Sequence, residues 1–475
     1  MAGWDTMQRL VLKEIVQGRE EGRDPAGLSR VEAKLEAAGD DREALEALHA
    51  ELLQVPLLAD FPYEEPSDLA EIRKLRPDRE RRAAPPLADD ELYDRLYGAW
   101  LGRCVGCALG KPVEHFMRPY GDFSSWKRQK RYLTAISADE WPLRDYIPAN
   151  SPASEETGPV GCPASTREEI AFMETDDDIR YTVLGQIILQ RFGPDFMPVH
   201  VAHQWFQSLP YNFVCTAETQ AYRNMVDRGT IIRHVWKPEW VERAAAETDW
   251  NWIVHRLNPY REWIGAQIRV DSYGYACPGN PELAADMAWR DASISHVKNG
   301  IYGAMFCAAM MAEAFVERDP LAIVEAGLGE IPTTSRLYTD IRKTIDVCAS
   351  HDNRFEAFEE IIRELYSRLG HYHPAHTNNN AALCTAAVLL SDGDFAKGIT
   401  MAVMGGWDTD CNGATVGSIV GAITGAAAAP THWTGRLNDT LNSEIPGYHP
   451  IAISECARRS LDIVRKVEAH TGAKG

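Results

Sequence analysis

Three features of the 475-residue sequence predict an all-α fold. Long β-branched alternating runs, the mark of strands, are scarce. Helical stretches recur instead, amphipathic or rich in small residues, as in "LSRVEAKLEAAGDDREALEALHAELL". Third, two glycine ladders repeat every fourth residue: Gly98, Gly102, Gly106 and Gly110, then Gly413, Gly417, Gly421 and Gly425. Residues four apart lie one above another on a helix. A glycine inside a helix costs about 1 kcal/mol relative to alanine, so four on one stripe make sense only where another backbone comes very close. The expected architecture is a compact multi-helix bundle with an N-terminal helical extension.

Residues 1–88 are rich in Glu, Arg, Ala and Leu and end in the Pro-bearing "RRAAPPLADD". They read as an accessory region, a helical cap or an oligomerisation element, before a main domain over residues 89–475. That domain begins with "DDELYDRLYGAWLGRCVGCALGKPVE", which carries the first ladder. "TDDDIRYTVLGQIILQRF" is a capped helix and "ISHVKNGIYGAMFCAAMMAEAF" another rich in small residues. The second ladder lies in "CNGATVGSIVGAITG". Together the ladders let helices approach closely beneath a common site. Cys411 to Ala429 carries no charge and is long enough to span a bilayer. Its Gly, Ala, Ser and Thr content favours a buried helix at a tight crossing instead.

Two stretches read as loops or poorly periodic insertions. Residues 115–170 hold Phe116, Tyr120, Phe123, Trp126, Tyr132, Trp141 and Tyr146; residues 205–263 hold Trp205, Trp236, Trp240, Trp250, Trp252 and Trp263. These aromatics either pack the insertions or line a pocket and stack on a base or sugar.

A net charge of -20 disfavours nonspecific nucleic-acid binding and anionic membrane surfaces. Ten scattered cysteines do not form a disulfide framework. Cys104 and Cys107 make a lone CxxC without a second pair to complete a zinc site. The N-terminal stretch has neither a basic start nor a continuous apolar core, so no signal peptide is expected and the protein is expected to be cytoplasmic. No phosphate-cradling loop with a P-loop Lys-Ser/Thr is present.

Acidic clusters stand at two predicted helix starts: Thr175, Asp176, Asp177 and Asp178 in "METDDDIR", and Asp408, Thr409 and Asp410 in "GWDTDC". Each suits an N-cap, where Asp and Thr are favoured and negative charge meets the helix dipole. Gathered together, they would repel without a cation, and their oxygens are the hard ligands preferred by Mg²⁺, Mn²⁺ or Ca²⁺. A further cluster, His371, His373 and His376, reads as a metal site, a pocket contact or a polar loop; Pro374 breaks any regular helical face.

Four motifs in order resemble the ADP-ribosylglycohydrolase family over roughly residues 90–465. "GCALGKPVE" at 106–114 is similar to its G-D-A-L-G-x-P-x-E stretch, "TDDD" at 175–178 to T-D-D-T, "ISH" at 294–296 to T-H, and "GGWDTDC" at 405–411 to G-G-D-T-D-T. The resemblance implies an all-α bundle with two divalent cations, Mg²⁺ or Mn²⁺, at the base of a cleft. Thr175, Asp176 and Asp177 would ligate one ion. Asp408 and Asp410 would hold the second, with Asp410 shared between them. It further implies a catalytic Glu114 beside the scissile bond and substrate contacts from Gly265, Gln267, Arg269 and His296.

Three positions depart from the family pattern: Cys107 stands for aspartate, and Asp178 and Cys411 for threonines. Trp407 is added beside the last motif. These departures predict a changed substrate rather than a lost site. The expected activity is metal-dependent hydrolysis of a ribosyl bond, through an oxocarbenium-like state, in an ADP-ribosylated protein or a ribosylated small molecule. A smaller riboside or nucleotide as substrate, a noncatalytic ligand-binding relative and a metal-dependent phosphohydrolase are the rival readings.

Overall fold

The computed structural model describes residues 5–81, 83–228 and 237–472. The chain opens with three helices, α1 (Met7–Glu20), α2 (Pro25–Ala38) and α3 (Arg42–Leu53). Each begins where a polar side chain accepts a first-turn N–H: Thr6, Asp24 and Asp41. Their apolar stripes, with Leu10, Ile15, Leu28, Val31, Leu45 and Leu48, close on one another and continue onto Leu257, Tyr260 and Trp263 of the main body. The extension is therefore docked. Buried ion pairs fix it: Arg261 meets Glu14 at 2.7 Å and Glu21 at 2.8 Å, and Arg336 meets Glu65 and Glu262, each at 2.7 Å.

At the centre of the main body lie α4 (Asp89–Gly110) and α9 (Thr409–Thr424), surrounded by α5 (Asp177–Phe192), α6 (Lys298–Ala314), α7 (Thr377–Ser391), α8 (Phe395–Met404) and α10 (Ile453–Gly472). The two glycine ladders face each other. Gly98 abuts Gly421, Gly102 abuts Gly417, Gly106 abuts Gly413, and Gly110 abuts Thr409, so the helices run antiparallel. A Cβ on any of these glycines would collide with the carbonyl or main chain opposite. Helix α10 covers the outer side of α4, where Trp100 Nε1 donates to Ser460 Oγ at 3.0 Å. Strands β1 (Thr440–Leu441) and β2 (Ile451–Ala452) make one two-residue ladder, so the bundle is all-α as expected. No helix among the described residues is long and apolar enough to cross a membrane. The uncharged segment from Cys411 is instead the buried helix α9.

The aromatic stretches divide between the two expected roles. In residues 115–170, Phe116, Tyr132 and Tyr146 are fully buried packing residues. Residues 205–263 are more helical than the sequence suggests, with helices at Thr216–Arg228, Pro238–Glu247 and Trp250–His255. The two of 10 and six residues, Pro238–Glu247 and Trp250–His255, are too short for a period to register. Trp205 is core, Trp263 reaches the cavity described below, and Trp236 lies outside the described residues. All ten cysteines are free, and Cys104 and Cys107 are buried one turn apart on α4.

Candidate active site

Two turns carry the carboxylates. The first leads into α5. Asp176 caps that helix, its Oδ1 accepting from the Asp178 N–H at 3.0 Å, while its Oδ2 accepts from Lys111 Nζ at 2.9 Å. Lys111 also donates to the Thr175 carbonyl at 2.7 Å. The Thr175 hydroxyl accepts from Arg180 Nη1 at 2.7 Å. Asp178 is completely buried and pairs with Arg103 of α4 at 3.1 Å; Arg103 in turn meets Asp271 at 2.8 Å.

The second turn precedes α9. Gly406 and Trp407 both take left-handed conformations, at φ +77° and +54°. For tryptophan this is a strained conformation that the surroundings have to hold. They do so through the Trp407 N–H, which donates to Ser125 Oγ at 2.8 Å, and through stacking on Tyr366 at 4.2 Å and 12°. Trp407 thus points away from the site and serves the turn. Asp408 sits at the N-cap of α9, yet its side chain makes no capping bond. Asn380 of α7 positions it, accepting from the Asp408 N–H at 3.2 Å and from Asn412 Nδ2 at 2.8 Å. The capping role therefore describes Asp176 and does not account for Asp408.

The last rung of the ladder joins the two halves. Gly110 lies against the backbone of Thr409 and Asp410, and Thr409 Oγ1 donates to the Gly110 carbonyl at 2.8 Å. The 3-10 turn Lys111–Met117 follows directly and carries Glu114. Ligand-type atoms of Glu114, Asp408 and Asp410 lie within 4.8 Å of one another, as do those of Asp178, Asp410 and Cys411, and those of Cys107, Asp176 and Asp178. Glu114, Asp176, Asp177, Asp408 and Asp410 line the floor of one cavity of about 820 Å³.

Crowding governs the charge of this floor. The Asp410 charge, then burial, holds Glu114 well above the usual carboxylate range. Burial, then the Asp410 charge, does the same to Asp408. Burial and the Asp176 charge raise Asp410 to about 7 and Asp177 to about 6. Asp176 alone moves down: burial opposes its ionisation, but Lys111 and Arg180 outweigh burial. The buried oxygens Asp178 Oδ1 and Asp176 Oδ1 are partnered, whereas Asp178 Oδ2, Asp408 Oδ1 and Asp410 Oδ1 have no hydrogen-bond partner among the described residues. Unpartnered buried carboxylate oxygens are costly, and a hard divalent cation is the group whose chemistry they fit.

The structure brings together Glu114, Asp176, Asp177, Asp408 and Asp410 as the sequence implied, and Gly265 lies across the cavity from them. Thr175 borders the cluster with its hydroxyl turned to Arg180 and Ser443. Gln267, Arg269 and His296 lie behind the lining, all buried. Arg269 binds Asp291 and meets Glu218 at 2.7 Å, and its guanidinium lies 5.1 Å from the Trp205 ring centre. His296 Nδ1 is 2.8 Å from Ser295 Oγ. These three brace the wall; Glu218 and Gly265 are what reach the cavity. The histidine cluster does not converge: His373 stacks on Trp263 at 3.9 Å, while buried His376 caps α7.

The sequence assigns no site role to Asp178, to Lys111 or to the first helix, α1. Asp178 was visible as the third carboxylate of "TDDD" and Lys111 as a cation three residues before Glu114. Nothing in the sequence signalled that Asp5, Arg9 and Lys13 would line the same cavity.

The sequence model of the ADP-ribosylglycohydrolase family matches residues 88–464. The chain belongs to this family. No curated protein matches the ADP-ribosylglycohydrolase chain. Among solved structures it is similar to an ADP-ribosylglycohydrolase-related protein complex, at 20% identity over 80% of this chain and 99% of the other, with a TM-score of 0.47. The family match spans both acidic turns and both glycine ladders, and leaves α1 to α3 outside it.

Proposed function

We propose that the protein is a metal-dependent glycohydrolase that cleaves a ribosyl glycosidic bond in an ADP-ribosylated protein or small molecule. The observation that carries this reading is the convergence of Glu114, Asp408 and Asp410 within 4.8 Å on the cavity floor, in a chain of this family. Asp176 and Asp177, with Thr175, would hold one divalent cation, and Asp408 and Asp410 a second, with Mg²⁺ or Mn²⁺ as the ions suited to oxygen donors. Bound there, such ions supply Lewis acidity towards vicinal ribose hydroxyls and lower the pKa of a water.

The chain's own residues do the rest. With cations offsetting the Asp410 charge that otherwise keeps it protonated, Glu114 would be ionised and would take the proton from the attacking water or from a ribose hydroxyl. Lys111 holds Asp176 in its ionised form and in one rotamer, and Asn380 fixes the backbone that carries Asp408. Gly265 leaves space beside Glu218, where any side chain would strike its carboxylate. A cavity of about 820 Å³ has room for a ligand larger than a nucleoside. Residues 89–475 act as the catalytic unit and residues 1–88 as an accessory region docked beside the cleft.

Calorimetric titration of ADP-ribose with Mg²⁺, and again with chelator, tests the reading. Binding that needs the metal supports it. Absence of binding in both conditions removes ADP-ribose as ligand and turns attention to smaller ribosides.

A further inference from the structure

We propose that helix α1 adds an anion subsite to the cleft, in which Lys13 and Arg9, facing Arg118, take a phosphate group of the ligand. The proposal rests on the glycohydrolase reading and names a second recognition element for the ligand of that same cavity.

The helix that supplies these cations lies outside the family match, which begins at residue 88. Its residues Arg9 and Lys13, with Asp5 just before it, nevertheless line the same cavity as Glu114 and Asp410. Arg118 lines it too, one residue past the 3-10 turn that holds Glu114. Lys13 and Arg118 line the same cavity as His373, which stacks on the Trp263 ring beside Lys13; burial and then the Lys13 and Arg118 charges push that imidazole down to about 4. His373 is thus neutral near pH 7 and leaves the positive field to Lys13, Arg9 and Arg118.

The local balance is positive. One carboxylate, Asp5, serves two cations, with Lys13 at 2.7 Å and Arg9 at 3.2 Å, and it also accepts from the Tyr260 hydroxyl. Arg118 is exposed. In a chain of net charge -20 such a group of cations is a local exception, and it shares its cavity with the acidic floor. A ligand matching both groups carries a polyol for the cations held by the floor and an anion for Lys13, Arg9 and Arg118. Arginine forks and a lysine ammonium are the groups that bind phosphate.

The subsite is built rather than incidental. The Lys13 ammonium lies 4.9 Å from the Tyr260 ring centre and 5.6 Å from that of Trp263. The helix beneath it is fixed by Arg261 on Glu14 at 2.7 Å and by Gln17 on Glu262 at 2.7 Å. A fixed helix means that little ordering cost is left for the ligand to meet.

The test compares ADP-ribose with uncharged adenosine by calorimetry in Mg²⁺, on the full chain and on Lys13→Ala, Arg118→Ala and the double variant. The double variant is expected to lose roughly tenfold or more in ADP-ribose affinity while binding adenosine as the wild type does. Lys13→Arg should restore most of the loss. Wild-type ADP-ribose affinity should fall with salt more steeply than that of the double variant. An unaltered ADP-ribose affinity in the double variant overturns the subsite and leaves the ribosyl reading standing. Failure of the wild type to bind either ligand overturns both. Should the double variant unfold, the single variants and the wild-type salt dependence decide the matter in the same way.

Discussion

Replacing Gly102 by alanine sets a methyl group against the backbone of Gly417. The added carbon would collide with the Gly417 carbonyl oxygen, lie 2.7 Å from its carbonyl carbon and 3.3 Å from the Gly421 Cα. None of these atoms belongs to a side chain that can rotate aside. Helices α4 and α9 would have to part by roughly 1 Å to reach ordinary contact. Alanine gains about 1 kcal/mol of helix propensity over glycine, whereas overpacking a close-packed interior costs about 1–3 kcal/mol and more when backbone blocks relief. The balance is a destabilisation of roughly 2 kcal/mol, against a gain if propensity alone ruled. Thermal and urea unfolding followed by far-ultraviolet circular dichroism would measure it, with Gly435→Ala as control because nothing lies within 4 Å of its Cβ. Gly102→Ala at or above wild-type stability would refute the backbone-contact account of the ladders.

Other outcomes follow from the site and from the docked extension. Asp410→Ala should weaken Mn²⁺ binding and turnover together, by roughly tenfold or more in affinity, as read by paramagnetic resonance and product release. Glu114→Gln should keep the Mn²⁺ signal and lower turnover by about 100-fold; loss of the metal would contradict its assigned role. Arg261→Ala strands Glu14 and Glu21 in the interior, so it should cost about 3–5 kcal/mol and expose the N-terminal helices to limited proteolysis. Burial, then the Glu262 charge, raises Glu20 to about 8 from the usual 4.5. The folded state then holds a proton that the unfolded state releases between those values, so this group's contribution to stability falls as pH rises from about 4.5 to 8. Glu20→Gln, which removes the titration, should stabilise the protein by roughly 1–3 kcal/mol at pH 9 and change little at pH 4.

Periodicity made the bundle and the ladders legible. Glycine every fourth residue has one economical explanation, and the structure supplies it with Gly98 to Gly110 set against Gly421 to Thr409. The carboxylates of the floor were legible because helix starts are marked by residue type. Whether an aspartate caps or stays free was not, since Asp176 and Asp408 stand at equivalent positions and only Asp176 bonds its helix. Arg269 and His296 look like ligand contacts in one dimension; their burial depends on Asp291, Glu218 and Ser295, which local pattern does not bring near. The wall formed by α1 is a contact between residues about 250 positions apart, as in Gln17 with Glu262, and no local signal carries such a distance.

The register of the paired ladders has a consequence for how this protein can change over time. Each residue added to a helix turns everything beyond it by about 100° and shifts it by about 1.5 Å. A single insertion between Gly102 and Gly106 would therefore swing Gly106 and Gly110 off the stripe and drive side chains into Gly413 and Thr409. A matching insertion in α9 would not repair it, because both helices are right-handed and both stripes would turn in the same sense, away from each other. Length variation in descendants of this sequence is thus barred from residues 98–110 and 409–421 and displaced into the segments between the helices. The interval from Glu114 to Thr175 and the ground before α4 are where such a lineage can lengthen, and where new specificity can be written without disturbing the floor.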